Sequence, residues 1–232
     1  MSLWSDIAEF LTDMAADAFS GAVEAVRTVF EGDPETRRQV GFSVAMIALS
    51  AKMAKADGVV TEDEVRAFQQ IFDIPEAEFN NVSRLYNLAK QDAAGFHAYA
   101  SKVKNLFPEE KQILVDVMDG LFHIAKADGL YHENEMDFMD DVAGIFEIEG
   151  REYERICLRH MESEDGDPYL LLGAEAGWDN ERVKTQYRKV VMENHPDRMI
   201  ARGVPVEFIT ISNDRVARIN KAWDRIKLER GL

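Results

Sequence analysis

The chain has 232 residues, 46% of them hydrophobic, and a formal net charge of −16. That is enough apolar material for one large core or two small ones, and too much for a disordered chain. The single cysteine, Cys157, excludes an internal disulfide framework and a cysteine-based zinc site, and reads as a small core residue. The acidity is uneven: residues 167–232 hold 12 Lys and Arg against 10 Asp and Glu, so the surplus of acid belongs to the preceding 166 residues. Nucleic acid is therefore not expected as the main partner, because phosphate binding needs a positive footprint. The longest clean apolar run, Val44 to Leu49, is far short of the roughly 20 residues that cross a bilayer. The opening Met1-Ser2-Leu3-Trp4-Ser5-Asp6 does not read as a signal peptide. No transmembrane segment and a cytoplasmic setting are expected.

Residues 1–34 read as an amphipathic helical segment. Trp4, Ile7, Leu11, Met14, Ala15, Phe19, Ala22, Val26 and Phe30 recur at helical spacing, opposite Asp6, Glu9, Asp13, Asp17 and Glu24. An acidic face is repelled by anionic lipid, so this segment is expected to dock on protein, either its own body or a second copy in a homodimer. Residues 35–163 read as all-helical. Phe42, Ala45, Met46, Leu49 and Met53 mark one amphipathic helix, and Leu114, Val117, Met118, Leu121, Phe122 and Ala125 another. Turns are expected at Gly58, Pro75, Pro108 and Gly129.

An internal repeat runs through this region. Ala54-Lys55-Ala56-Asp57-Gly58, leading to Glu62 and Glu64, returns 71 residues later as Ala125-Lys126-Ala127-Asp128-Gly129, leading to Glu133 and Glu135. Each copy reads as a helix end, a glycine turn and an acidic helix start, which suggests a bundle of helix pairs. The spacing from Asp57 to Glu64 matches only the second half of a calcium-binding EF-hand loop. Met53, Lys55, Ile124 and Lys126 occupy positions that need oxygen ligands, so a normal EF-hand is excluded. Thr61 and Glu64 have the spacing of a capping box, which accounts for part of the acidity. Asp57 and Asp128 stand at helix ends, where the dipole disfavours an anion. The six carboxylates Asp57, Glu62, Glu64, Asp128, Glu133 and Glu135 thus leave three uses open: a divalent-cation site, capping, and partner docking.

Glu162-Ser163-Glu164-Asp165-Gly166 has no apolar residue and reads as a linker. Asp167 then caps a helix with Pro168 at its first position. In the helix after Asp179, Val183, Tyr187, Val190 and Val191 form an apolar face, while Arg182, Lys184, Arg188 and Lys189 form a basic surface. A last helix carries Ile211, Val216, Ile219, Ala222, Trp223 and Ile226, which is expected to pack antiparallel against it. Pro196 ends the earlier helix, so that His195 and Asp197 are expected at an exposed loop tip.

These 66 residues resemble a J-domain: Asp167-Pro168-Tyr169-Leu170-Leu171-Leu172-Gly173, the helix from Glu181 to Asn194, the loop His195-Pro196-Asp197, and Ile219-Asn220-Lys221-Ala222-Trp223 follow that family's order and spacing. The long connection Arg198 to Phe208 and the position behind an acidic helical region resemble the DjlA-type J-proteins, and residues 35–163 resemble TerB domains. The resemblance implies an all-α fold with a TerB-like bundle at 35–163 and a J-domain at 167–232. It implies a cochaperone that stimulates ATP hydrolysis by a DnaK-type chaperone, bound through His195, Pro196, Asp197, Arg182, Lys184, Arg188 and Lys189. The acidic region would serve targeting, client or partner docking. The alternative is a divalent-cation-binding stress-response protein of the TerB class with an accessory J-domain. No nucleophile or general base stands at a recognisable spacing near His195, so the chain is not expected to be an enzyme and requires no cofactor.

Overall fold

The structure, a computed structural model, describes residues 33–57, 62–92, 95–126, 133–160 and 166–232 together with Trp4, Ile7, Gly21 and Val26; for 55–57, 62–64 and 67 it describes the backbone without the side chains. Among the described residues the regular elements are helices and none is a strand, which agrees with the all-α expectation. They are α1 (Pro34–Asp57), α2 (Glu62–Ile71), α3 (Phe79–Gln91), α4 (Phe96–Leu106), α5 (Lys111–Ala125), α6 (Glu133–Ile145), α7 (Arg151–His160), α8 (Pro168–Leu172), α9 (Asn180–Glu193), α10 (Pro196–Arg202) and α11 (Ile209–Arg230). Short 3₁₀ turns at Glu76–Glu78 and Val206–Phe208 lead into α3 and α11. Trp4, Ile7, Gly21 and Val26 are helical as well.

Helix α1 is the axis of the first part. It packs against α3, α4, α5 and α6, and Val40 to Met53 are buried around its whole circumference. The sequence stripe suggested a helix with one wet face; a helix enclosed by four others has none. Its polar residues are accommodated individually. Ser43 and Ser50 donate their hydroxyls to the carbonyls of Gln39 and Met46, and Lys52 donates to the carbonyl of Asp92 at 2.8 Å. Buried polar groups cost little once bonded in this way. Trp4, Ile7 and Val26 are fully buried in the same core. Of the two docking surfaces considered for the N-terminal segment, these three residues use the chain's own body.

Among the described residues, the apolar side chains form two clusters of unequal size. The smaller gathers Leu172, Ala174, Val183, Val190, Ile219, Ala222, Trp223 and Ile226, with Tyr187 and Trp223 stacked 4.8 Å apart. Contacts from Asn180 to Arg230, Tyr187 to Asn220, and Asn194 to Ser212 run in opposite chain directions, so α9 and α11 are antiparallel. The larger cluster fills 34–160 and continues into Met199, Val204, Phe208 and Ile211. Ile211 therefore leaves the helix-pair face on which its spacing put it and enters the larger core. Residues 198–208, read from sequence as a long connection, contain most of α10 and a 3₁₀ turn. Gly203 makes their approach to α1 possible. It has φ +99°, and a Cβ there would overlap the Arg38 side chain. The boundary expected at 162–166 falls mostly on residues 161–165, which lie outside the described residues.

Phe208 joins the two parts most directly. It is fully buried, with ring centroids 4.7 Å from Phe72, 5.0 Å from Phe42 and 6.4 Å from both Phe68 and Trp4. Phe208→Ala should lower stability by about 3–5 kcal/mol, the usual cost of an aromatic cavity. Urea denaturation followed by circular dichroism reads this directly, and a loss under about 1 kcal/mol would contradict the packing.

Candidate functional site

The His195-Pro196-Asp197 segment is a junction between two helices. Helix α9 ends at Glu193, Asn194 caps it, and α10 begins at Pro196. The expected loop tip is absent because Pro196 starts a helix as readily as it stops one: its fixed φ suits the first turn, where its missing N–H is not needed. His195 is the N-cap. Its Nδ1 accepts the backbone N–H of Asp197 at 3.2 Å and lies 3.6 Å from the Asp197 carboxylate. An accepting Nδ1 leaves Nε2 to carry the proton in the neutral ring. Asp167-Pro168 opens α8 by the same device, with the Asp167 carboxylate accepting the N–H of Tyr169. The His195 and Asp197 side chains remain 53% and 87% exposed.

Helix α9 starts at the N-cap Asp179, whose carboxylate accepts the N–H of Arg182. Val183 and Val190 turn into the smaller core. Arg182, Arg188 and Lys189 are exposed and Lys184 is half-buried. The Arg182 guanidinium lies over Trp178, 3.8 Å from the ring centre, and Lys189 pairs loosely with Glu193 at 3.8 Å. The structure thus brings the exposed junction and the basic surface onto one helix and its end.

Beneath this surface lies a polar joint that the sequence reading did not identify. Asp116 and Asp119 sit on α5 three residues apart, hence on one face, and both are buried. One oxygen of Asp116 accepts from Arg215 at 2.8 Å; the other accepts twice from Arg202, at 2.9 and 3.1 Å. Asp119 takes a two-pronged contact from Arg159 at 3.0 and 2.8 Å, a bond from the His160 ring at 2.8 Å, and a short contact from Arg215. The arginines continue onward. Arg202 donates to the carbonyl of Glu193 at 3.0 Å, and Arg215 to the side chain of Asn194 at 2.9 Å. A sequence signal did exist, since Asp116 and Asp119 interrupt an otherwise apolar stretch from Ile113 to Phe122. Nothing in the sequence paired them with arginines 40 to 99 positions away.

Burial alone would raise the Asp119 carboxyl. Arg159, Arg215 and His160 outweigh it and hold the group well below the usual carboxylate range. Burial draws Arg159 down to about 10, so it stays a cation at neutral pH. Burial also lowers His160, against the opposing pull of Asp119, while its ring stacks on Phe122 at 5.2 Å. A cleft of about 320 Å³, lined in part by His123, Lys126, Arg159, His160 and Arg218, opens beside the joint. Ionised carboxylates already engaged by cations suit holding two segments together better than moving protons.

Of the six carboxylates singled out in the repeats, Asp128 lies outside the described residues, as do the side chains of Asp57, Glu62 and Glu64. Glu133 is exposed and Glu135 half-buried at the start of α6. Among the described residues, no three His, Cys, Asp or Glu side chains are grouped to hold a metal ion. Also among the described residues, no helix is long and apolar enough to cross a membrane.

The profile of the TerB family, described as tellurite resistance protein TerB, matches residues 43–158, half of the chain. Curated relatives extend the similarity. A protein of Photobacterium profundum named co-chaperone protein DjlA is 26% identical over 223 residues, covering 84% of this chain and 80% of that protein. One of the same name from Vibrio vulnificus is 26% identical over 248 residues, covering 87% and 83%. One from Shewanella oneidensis reaches 44% identity over 66 residues, 28% of this chain and 25% of that protein. No solved structure gives a significant match.

The joint makes stability depend on pH with a fixed sign. His160 titrates below its ordinary 6.5 in the folded chain, so the unfolded chain binds more protons as pH falls and stability declines. His123, which burial also lowers, adds to this stage. A second decline follows below about pH 4, where the unfolded Asp119 takes a proton that the folded one refuses. Melting temperature against pH should therefore fall in two stages, with the upper one reduced in His160→Gln. Asp119→Ala should cost about 3–5 kcal/mol in urea denaturation at pH 7, because it leaves Arg159 buried without a counter-charge, while Arg215 keeps Asp116.

Proposed function

We propose that this chain, which belongs to the TerB family and is a DjlA-type protein, is a cochaperone whose J-domain stimulates ATP hydrolysis by a DnaK-type chaperone. The observation that carries the reading is the His195 junction, exposed, shaped by its own cap, and set at the end of a helix with an exposed basic surface. Arg182, Lys184, Arg188 and Lys189 attract an acidic surface of the partner's ATPase region and set the register of docking. His195, Pro196 and Asp197 then meet the partner at a site fixed in shape before contact, which lowers the ordering cost of binding. Hydrolysis takes place in the partner. The name shared by the relatives supports the same reading. The TerB-like region at 35–163 serves as the platform for the J-domain and as a docking surface for targeting or clients, in a cytoplasmic setting where ATP and the partner are present.

Single-turnover ATPase of a DnaK-type chaperone, with and without the full chain, tests the proposal. The parent protein should accelerate hydrolysis and His195→Gln should abolish the acceleration. The lost cap bond limits the stability change to about 1 kcal/mol. Asp197→Asn keeps the backbone N–H that His195 caps, and should abolish stimulation with still less effect on melting. Arg188→Glu with Lys189→Glu should instead raise the concentration needed for half-maximal stimulation, and added salt should do the same to the parent. Full stimulation by a folded His195→Gln protein would refute the reading.

A further inference from the structure

We propose that Asp116, on α5 of the TerB region, is a positioning residue for the His195–Asp197 junction and acts through Arg202 and Arg215. The inference rests on the reading of that junction as the working site. Its starting point is where the smaller core stops. On α9 the last fully buried residue of that core is Val190, and on α11 the first is Ile219. The final turn of α9, the junction, α10 and the first turns of α11 lie beyond it, so the core that holds the helix pair together does not reach His195.

Other contacts hold that end. The carbonyl of Asn194, immediately before His195, accepts from Ser212 at 2.7 Å, and the Asn194 amide donates to Val190 at 2.7 Å. Both bonds stay within the helix pair. On the far side of the junction Met199 is buried in the larger core and its N–H donates to the His195 carbonyl at 3.2 Å. Two further bonds hold the end of α9 itself, from Arg202 to the carbonyl of Glu193 and from Arg215 to the Asn194 side chain. Both guanidinium groups are oriented by the same fully buried carboxylate, Asp116, each of whose oxygens receives at least one of them. The Asp119 carboxylate shares Arg215 but makes no contact with Arg202. Among the described residues, Asp116 is thus the carboxylate bonded to both of the arginines that hold Glu193 and Asn194. An asparagine there keeps the shape, but it turns an N–H₂ toward a guanidinium and removes the charge that holds the second one. The segment 193–197 then keeps its bonds to Ser212 and α10, but the two arginines that bond Glu193 and Asn194 lose the anion that orients both, and the His195 cap is held less firmly against the basic face of α9.

The test uses the full chain, with ¹⁵N-labelled histidine and a DnaK-type chaperone. Asp116→Asn should lower maximal ATPase stimulation by about threefold or more, since small displacements of a positioned group are costly. The concentration for half-maximal stimulation should stay within about twofold, because the basic surface that governs encounter is untouched. The ring-nitrogen signals of His195, assigned by their absence in His195→Gln, should move toward those of a short unstructured peptide. If Asp116→Asn does not fold, Arg202→Met replaces it, since Arg215 then still neutralises Asp116; the same changes are expected in smaller measure. Unchanged maximal stimulation together with unchanged His195 signals in a folded variant would overturn the proposal. So would a rise in half-saturating concentration alone, which would mark a docking defect. Should the parent itself fail to stimulate the chaperone, the functional reading falls, and the His195 signals alone decide the coupling: moved signals support it and unmoved ones refute it.

Discussion

Two carboxylates on an otherwise apolar stretch of helix, Asp116 and Asp119, are neutralised by arginines from three other helices, and the arrangement of the two halves depends on that exchange. Burying these groups is expensive, and a well-packed apolar contact of equal volume would be about as stable. Greasy surfaces, however, slide past one another at small cost. A carboxylate that must meet two guanidinium forks cannot shift by a turn without leaving a buried charge alone. The joint therefore fixes the register of α11 and α10 against α5, while the aromatic cluster around Phe208, with Met199, Val204 and Ile211, supplies apolar burial there.

Helix α11 is the element that makes this consequential. Its first turns belong to the larger core through Ile211, and its later turns to the smaller one through Ile219, Ala222, Trp223 and Ile226. A rigid helix spanning both cores transmits the position of one to the other. At its far end Arg230 contacts Tyr169, Asn180 and the carbonyls of Ala176 and Trp178, which closes the smaller core against α8 and the start of α9. At the opposite end, where His195 lies, Met199 and Ile211 anchor α10 and α11 in the larger core, and ionic contacts to α5 orient the arginines that bond the end of α9.

The large acidic charge of the chain does not quench the basic surface of α9. Arg182, Arg188 and Lys189 stay exposed, while the cations consumed by Asp116 and Asp119 are a separate set: Arg159, Arg202 and Arg215. Two populations of basic residues thus serve different ends. The buried ones orient the C-terminal helices, and the exposed ones are available to an acidic partner, as the proposed cochaperone function requires.

Local chemistry made much of this legible in the sequence. Helical spacing, scarce proline and the capping pair Asp167-Pro168 determine the class of fold, while the repeated Lys-Ala-Asp-Gly turns and the order of elements around His195-Pro196-Asp197 carry the family resemblance and point to the candidate site. These features depend on residues within a few positions of one another, so one chain carries them in full. Where proline could either close or open a helix, as at Pro196, sequence alone did not choose; the cap bond from Asp197 to His195 did. The burial of α1 on every side, the passage of Ile211 into the larger core, and the pairing of Asp116 with Arg202 and Arg215 were decided by tertiary structure. Each depends on which segments meet in space, and a charge on a helix face does not specify which of the chain's 27 cations will come to lie against it.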